Sequence, residues 1–212
     1  MGREFLEIFE EWANDYDKTV NGQDPEYIEV FRHYDQILDE VVNNSVGTVL
    51  EFGVGTGNLT KKIMDKGHHV IGIEPSPAMR EIAKVKLPKL SIQDGDFLNF
   101  PVPDNQVNTI VSSYAFHHLN DQEKEEAIKK LAKLLPKGGK IVFADTLFVS
   151  DLARQRKIKE ALDSGFLALA EDLRREYYPN LETIERIFSD NNFNVSFKQM
   201  NEFVWLIIAT YK

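Results

Sequence analysis

The sequence predicts an α/β fold, a mostly parallel sheet with helices on both faces, closed at one edge by a C-terminal antiparallel hairpin. Three observations predict it. Short apolar runs rich in β-branched residues alternate with segments whose apolar residues recur every three or four positions, the order that builds parallel strands joined by helical crossovers. The stretch from Val49 to Thr60, VLEFGVGTGNLT, joins the first such run to a helical pattern through a glycine loop. The chain ends on two strand-like runs, Phe193 to Met200 and Phe203 to Tyr211, with a turn between them short enough for a hairpin. The 212 residues make room for one such domain, 1–212, and a second would be cramped.

Composition narrows the function. A formal charge of −9 argues against a general nucleic-acid binder, which needs a basic face to displace counterions from phosphates. The chain has no cysteine, so disulfides and thiolate metal sites are excluded, which fits a reducing compartment. The opening MGREFLEIFEEW is acidic and amphipathic and lacks the apolar run of a signal peptide. The longest apolar stretch, Phe203 to Tyr211, falls far short of the roughly twenty residues that span a bilayer. The expectation is a cytoplasmic protein with no membrane and no nucleic-acid partner, as a monomer or homodimer.

Residues 1–45 read as helices. Phe5, Ile8, Phe9 and Trp12 recur at helical spacing, and Ile28, Phe31, Ile37, Leu38, Val41 and Val42 continue it after a turn around Asn21 to Pro25. In the glycine loop Glu51, Gly53, Gly55 and Gly57 fall at every second position, which lets a ligand approach the main chain without meeting a Cβ. A dinucleotide loop would carry its third glycine where Asn58 stands, and a phosphate loop would end in Gly-Lys-Ser/Thr; neither fits. Glu51 is also badly placed beside a phosphate and well placed beside a cation. A plain glycine turn between strand and helix is the unliganded alternative.

Leu59, Ile63 and Met64 then make a helical face, Gly67 caps it, and His69 to Ile73 is a buried strand that ends at Glu74, twenty-one residues after Gly53. A carboxylate at the end of a second parallel strand can accept from two ribose hydroxyls, a role shared by several adenosine-containing cofactors. Ser76-Pro77 opens the next helix, and the strand from Leu90 to Gln93 runs into Asp94-Gly95-Asp96-Phe97, which alone is only a turn signal.

The pattern E-x-G-x-G-x-G, followed about one strand later by an acidic residue, resembles the first motif of class I S-adenosylmethionine-dependent methyltransferases. As a whole the chain looks closest to the bacterial YrrT family of methyltransferases. The resemblance implies a Rossmann-like seven-stranded fold from about Val46 onward, with S-adenosyl-L-methionine as cofactor. It divides the chain into an N-terminal helical lid (1–45), a cofactor-binding core (46–149), a substrate-side helical insertion (150–180) and a last helix with the hairpin (181–212). Glu51, Gly53, Gly55 and Gly57 would receive the methionine end of the cofactor, Glu74 its ribose, and Asp96 with Phe97 its adenine, Asp94 being the second choice. The run Trp12-Ala-Asn-Asp-Tyr16-Asp17 is similar to a segment that folds over the cofactor in many small-molecule members, which makes Tyr16 a cofactor or substrate contact.

The acceptor end is read from the fourth strand, Val107 to Ser113, because ligands sit at strand C-termini in open α/β sheets. There the chain has Ser113-Tyr114-Ala115-Phe116-His117-His118-Leu119, not the N/D-P-P-Y/F of enzymes that methylate exocyclic amines or protein glutamines. The His-His-Leu run resembles small-molecule methyltransferases of the ubiquinone and menaquinone type, with one histidine facing the pocket. His117 and Tyr114 are the catalytic candidates, although transfer from a sulfonium needs alignment and desolvation more than proton removal. Asp121 caps a helix with an apolar stripe from Ala127 to Leu135 and a charged, solvated opposite face. Asp145 ends the fifth strand as a second acceptor-side candidate, and a lone aspartate gives no reason to expect a metal. The expected activity is in-line methyl transfer to a small-molecule acceptor. A non-catalytic binder of the same cofactor, a nicotinamide-dependent oxidoreductase and an enzyme acting on protein or tRNA are the alternatives.

Overall fold

The computed structural model describes Leu6, Glu10 and residues 12–212. Seven strands form one sheet in the order β3-β2-β1-β4-β5-β7-β6. The strands are β1 (Val49–Phe52), β2 (Val70–Ile73), β3 (Ser91–Gln93), β4 (Thr109–Ser113), β5 (Lys140–Thr146), β6 (Phe193–Gln199) and β7 (Val204–Tyr211). The first five pair in parallel; β7 runs antiparallel to β5 and to β6, so the hairpin closes the edge as the sequence predicts. The chain winds outward from β1 to β3, then crosses back to lay β4 on the other side of β1. That reversal opens a crevice at the C-terminal ends of β1 and β4, where ligands bind in sheets of this kind.

Every residue of β1 and β2 is buried, as parallel strands covered on both faces require. Alternate residues feed two cores. Leu50, Phe52, Ile110 and Phe143 face one, with α5 (Asp121–Ala132) and α8 (Leu181–Asp190); Val49, Val111, Val142 and Ala144 face the other, with α2 (Tyr34–Asn44), α3 (Asn58–Asp65), α6 (Asp151–Asp163) and α7 (Leu167–Arg175). Two further helices among the described residues are the short α1 (Tyr16–Val20) and α4 (Pro77–Lys86), the latter capped by the Ser76 hydroxyl with Pro77 at its first position. No helix of the described residues is long and apolar enough to cross a membrane.

Three local expectations change. The helical spacing from Ile28 to Val42 becomes a run of turns up to His33, whose left-handed φ of 64° breaks the periodicity before α2 begins. Ile28 is left exposed, and Phe31 is drawn into an aromatic cluster. The cap of α5 is Asn120, not Asp121: Asn120 lies in extended backbone, accepts from the Glu123 amide, and donates its own amide to the Glu123 carboxylate, a reciprocal box that Asp121 is one residue too late to make. Phe5, Ile8 and Phe9 lie outside the described residues.

The charged face of α5 is not wholly solvated either. Lys124 is fully buried and donates to the carbonyls of Leu119 and of Tyr177, the latter at 2.7 Å. Burial pushes its ammonium down to about 8. The lysine ties the turn after β4 to the chain leaving α7, segments that share no secondary structure. Lys124→Met keeps the aliphatic stem but removes both hydrogen bonds, among them the buried one to the Leu119 carbonyl. Chemical denaturation is expected to show a loss of about 2–4 kcal/mol; a loss within experimental error would mean that the clamp is not structural.

Candidate active site

β1 delivers Glu51 inside the sheet and ends in the glycine loop. Gly53 and Gly55 both have positive φ, 70° and 56°, which a side chain would resist. A Cβ on Gly53 would stand 2.7 Å from the Ala115 Cβ, whereas one on Gly55 would meet nothing within 4 Å. The loop therefore presses against the end of β4 at one glycine and opens a cradle at the other. Gly57 stands apart from the cradle, at the N-terminal cap position of α3.

Glu51 accepts the Thr60 hydroxyl at 2.6 Å through Oε2, but its buried Oε1 finds no partner among the described residues. The Ser112 hydroxyl on neighbouring β4 is likewise buried and unpaired. Burial drives the Glu51 carboxyl up to about 8, and the Thr60 hydrogen bond offsets only part of that. Glu74, beyond the end of β2, accepts backbone amides from Gly55 and Ser76, each at 2.8 Å, and burial lifts it to about 7 despite them. An uncompensated buried carboxylate beside an open glycine cradle suits a ligand with a cationic head, the fit that the cofactor implied by the sequence requires. Asp96 is buried and uses Oδ1 to accept the amides of Leu98 and Asn99 at 2.9 and 2.8 Å. Phe97, expected to pack on the adenine, lies in the core at 1% exposure, stacked on Phe52 with ring centroids 4.8 Å apart.

Gly53, Gly55 and Glu74 line a small cavity together with Tyr16, Tyr114 and His118. Tyr16, Tyr114 and His118 are also walls of a second cavity of about 400 Å³, whose other aromatic walls are Trp12, Tyr27, Phe31 and Tyr178 and whose floor includes His117. Tyr16 is placed there because the next residue, Asp17, accepts the Thr56 hydroxyl at 2.7 Å and the Asn58 amide at 3.1 Å and pairs with Lys86, pinning α1 onto the glycine loop and α4. Tyr114 follows β4 with a φ of 52°, a strained conformation for a tyrosine, of the kind concentrated at functional sites.

Both histidines lie on a single 3₁₀ turn, Phe116–His118, and both are buried. Each has its own carboxylate. His117 Nδ1 lies 2.5 Å from Asp145 Oδ1, and His118 Nδ1 lies 2.7 Å from Glu176 Oε2. Burial pulls the His117 ring down, but the Asp145 charge and hydrogen bond outweigh it and hold the ring above the ordinary histidine value. Burial and the charge of His117 push His118 down to about 4, overriding Glu176, so His118 is neutral. The expectation that one histidine faces the pocket becomes two.

Sequence reading missed Glu176, Asp172 and Lys124. Glu176 and Asp172 arrive from the 150–180 segment, where charges among apolar residues look like an ordinary amphipathic helix. Their placement is fixed by Arg154, which donates to the carbonyls of Leu173 and Glu176 at 2.8 Å each, and by Tyr27, whose hydroxyl donates to Asp172. His117, His118 and Glu176 bring one ligand atom each to within 4.8 Å of one another, a grouping able to hold a metal ion.

Comparison with known proteins follows this geometry. A family model described as a methyltransferase domain matches residues 49–139. An uncharacterized methyltransferase of Oceanobacillus iheyensis is 59% identical over 209 residues, which cover 99% of this chain and 98% of that protein. One from Anoxybacillus flavithermus is 57% identical, covering 99% of both. Among solved structures, magnesium protoporphyrin IX methyltransferase from Synechocystis, with bound SAH, aligns over 98% of each chain with a TM-score of 0.75 and 17% identity. A SAM-dependent methyltransferase from Thermotoga maritima, described as a possible histamine N-methyltransferase, aligns over 99% of this chain and 100% of its own with a TM-score of 0.69 and 20% identity. At such identities these two likenesses are of fold.

The two raised carboxyls set a pH dependence. Glu51 and Glu74 titrate near 8 and 7 in the folded chain against 4.5 as the ordinary value, so the folded state holds their protons more tightly than the unfolded state does. The stability this contributes is complete below the unfolded value and is lost as pH rises through 7 to 8. Thermal or urea denaturation of the ligand-free protein from pH 6.5 to 8 is expected to show a decline of about 1 kcal/mol per pH unit, and Glu51→Gln should flatten it. An identical slope in the variant would mean that Glu51 is already ionised.

Proposed function

This chain belongs to the class I S-adenosylmethionine-dependent methyltransferases, and from that premise we propose that its methyl acceptor is a small molecule held in the aromatic pocket beside His117. The observation that carries this reading is the shared wall: Tyr16, Tyr114 and His118 border both the glycine-loop cavity and the larger one. A reagent in the first therefore meets a partner in the second across a few side chains. About 400 Å³ lined by aromatic rings suits a small organic molecule. The net charge of −9 weighs against a nucleic-acid acceptor. The reading takes the enzyme to be cytoplasmic, working as a monomer or homodimer without a protein partner.

S-adenosylmethionine supplies an electrophilic methyl group on a sulfonium. Glu51 and the amides of the glycine loop would hold its amino-acid end, Glu74 its ribose hydroxyls and Asp96 its adenine, with Phe97 supporting that turn from the core. Tyr16 closes the site from the lid, and Tyr114 with His117 orients the acceptor for in-line approach. Asp145 fixes the His117 ring by accepting at Nδ1. Because charge is dispersed in the transition state of such a transfer, alignment and exclusion of water supply most of the acceleration these residues can give.

Four measurements test the reading. In calorimetric titration, S-adenosylmethionine and S-adenosylhomocysteine are expected to bind in the micromolar range and NADH not at all; binding of NADH alone would make this an oxidoreductase. Glu74→Ala is expected to weaken cofactor affinity more than tenfold without unfolding the chain, and unchanged affinity sinks its ribose role. His117→Ala should lower turnover more than cofactor affinity. With methyl-labelled cofactor and a cell extract, label should pass into the low-molecular-weight filtrate; label retained on protein or RNA would replace the small-molecule acceptor with a macromolecular one.

A further inference from the structure

We propose that His117, His118 and Glu176 form a binding site for a divalent first-row transition cation of the Zn²⁺ type, on the wall of the acceptor pocket. The site rests on geometry alone; the cation's part in methyl transfer rests on the reading of that pocket as the acceptor site.

Distances come first. The three ligand atoms lie within 4.8 Å of one another. Metal bonds of about 2.0–2.2 Å to nitrogen and oxygen place tetrahedral ligands about 3.3–3.6 Å apart, so a cation has to draw the widest pair in by about 1.2–1.5 Å, within the reach of side-chain rotation. Within the set, His118 Nδ1 and Glu176 Oε2 are 2.7 Å apart. That is somewhat closer than neighbouring ligands stand around such an ion, and the cation can take the place of the single proton these atoms share.

The surroundings have the form of a metal centre. A histidine that binds a metal through one nitrogen usually gives the other to a carboxylate, which fixes its tautomer and orientation. His117 does this with Asp145 through Nδ1, which leaves Nε2 as the ring nitrogen for a cation. Asp145 is itself anchored, accepting the amides of Phe116 at 2.6 Å and Thr146 at 2.7 Å. Glu176 belongs to a segment clamped to the histidine turn: the Tyr177 amide donates to the His117 carbonyl at 3.1 Å, and Lys124 ties the carbonyls of Leu119 and Tyr177 together. All three proposed ligands are buried, at 8%, 5% and 7% exposure. A first shell held this firmly by its supporting contacts is what a preorganised ligand set requires, and is more than a plain substrate wall needs.

Chemistry selects the cation. Two imidazoles and one carboxylate suit a d-block ion of borderline softness and do not suit Mg²⁺ or Ca²⁺, which take oxygen ligands. Three protein ligands on a cavity wall leave a coordination position open to the cavity, the pattern of catalytic rather than structural sites. An acceptor hydroxyl or amine bound there through its heteroatom would be acidified; after losing its proton to solvent, the heteroatom would form its bond to the methyl carbon as the methyl–sulfur bond breaks, leaving S-adenosylhomocysteine.

The test uses untagged full-length protein, stripped with a chelator and returned to chelator-free buffer. Calorimetric titration with Zn²⁺ is expected to give one site of micromolar or tighter affinity, with Mg²⁺ showing none. Co²⁺ should give visible absorption bands of a four- or five-coordinate ion. Glu176→Gln, nearly isosteric, and His118→Gln should each weaken Zn²⁺ at least tenfold, and Glu176→Gln should retain the wild-type melting profile and S-adenosylhomocysteine affinity. No Zn²⁺ binding, or binding that both variants leave unchanged, overturns the proposal. If the stripped protein binds S-adenosylhomocysteine but no Zn²⁺, the metal site fails while the methyltransferase reading stands; if it binds neither, that reading fails as well.

Discussion

The half of the structure proposed to take the acceptor depends on one buried carboxylate. Asp145, at the C-terminal end of β5, accepts the amides of Phe116, His117 and Thr146 and faces His117 Nδ1. Taking an ionised carboxylate out of water costs several kcal/mol, and only several strong donors converging on it offset that. Here they do. The charge and hydrogen bond of His117 hold the Asp145 carboxyl below its ordinary value in spite of burial. Through those contacts the aspartate sets the backbone of the 3₁₀ turn, and the turn sets both imidazoles.

The cofactor half is organised in the opposite sense. Glu51 and Glu74 are buried carboxyls whose pKa values are raised, so in the ligand-free chain the site holds them against their preference for charge. A cation arriving beside Glu51 relieves this. The binding energy is in that sense stored in the fold, at a cost to stability that the two apolar cores on the sheet faces can sustain. Asp17 adds a geometric condition, since it ties α1 to the glycine loop. Helix and loop are thus one unit, on the proposed reading the lid and the cradle of the cofactor.

How much of this was legible in the sequence follows from how far apart the partners lie. The glycine loop, Glu51 and Glu74 sit within one strand–helix–strand unit, where local spacing determines spatial relation, and the architecture followed from periodicity. The hairpin was legible for the same reason. The packing of Phe97 on Phe52 was not legible, because a motif gives neighbouring residues one role and says nothing of their distant partners. The Asn120 cap was read one residue late because either polar side chain satisfies the pattern and only the extended backbone at Asn120 decides. His118 and Glu176 are 58 residues apart in sequence. Nothing in either neighbourhood announces the other, and Lys124 looked like one more charge on a solvated face.

That asymmetry bears on how specificity is built. In the proposed reading the cofactor would be held by residues contiguous with β1 and β2, so that its site follows from the fold itself. The aromatic pocket proposed for the acceptor is assembled from α1 and the turns after it, the end of β4, and the segment between α6 and α8, brought together by Asp145, Lys124 and Arg154. Changes in the 150–180 segment can therefore alter the pocket without disturbing the sheet or the glycine loop, provided the clamp survives. Lys124 is the point at which the two halves meet: it lies on α5, which packs on the sheet, yet its ammonium holds the chain that carries Glu176. A fully buried lysine makes poor use of a core position unless the contact it enforces is needed elsewhere, and here the contact brings Glu176 up against His118.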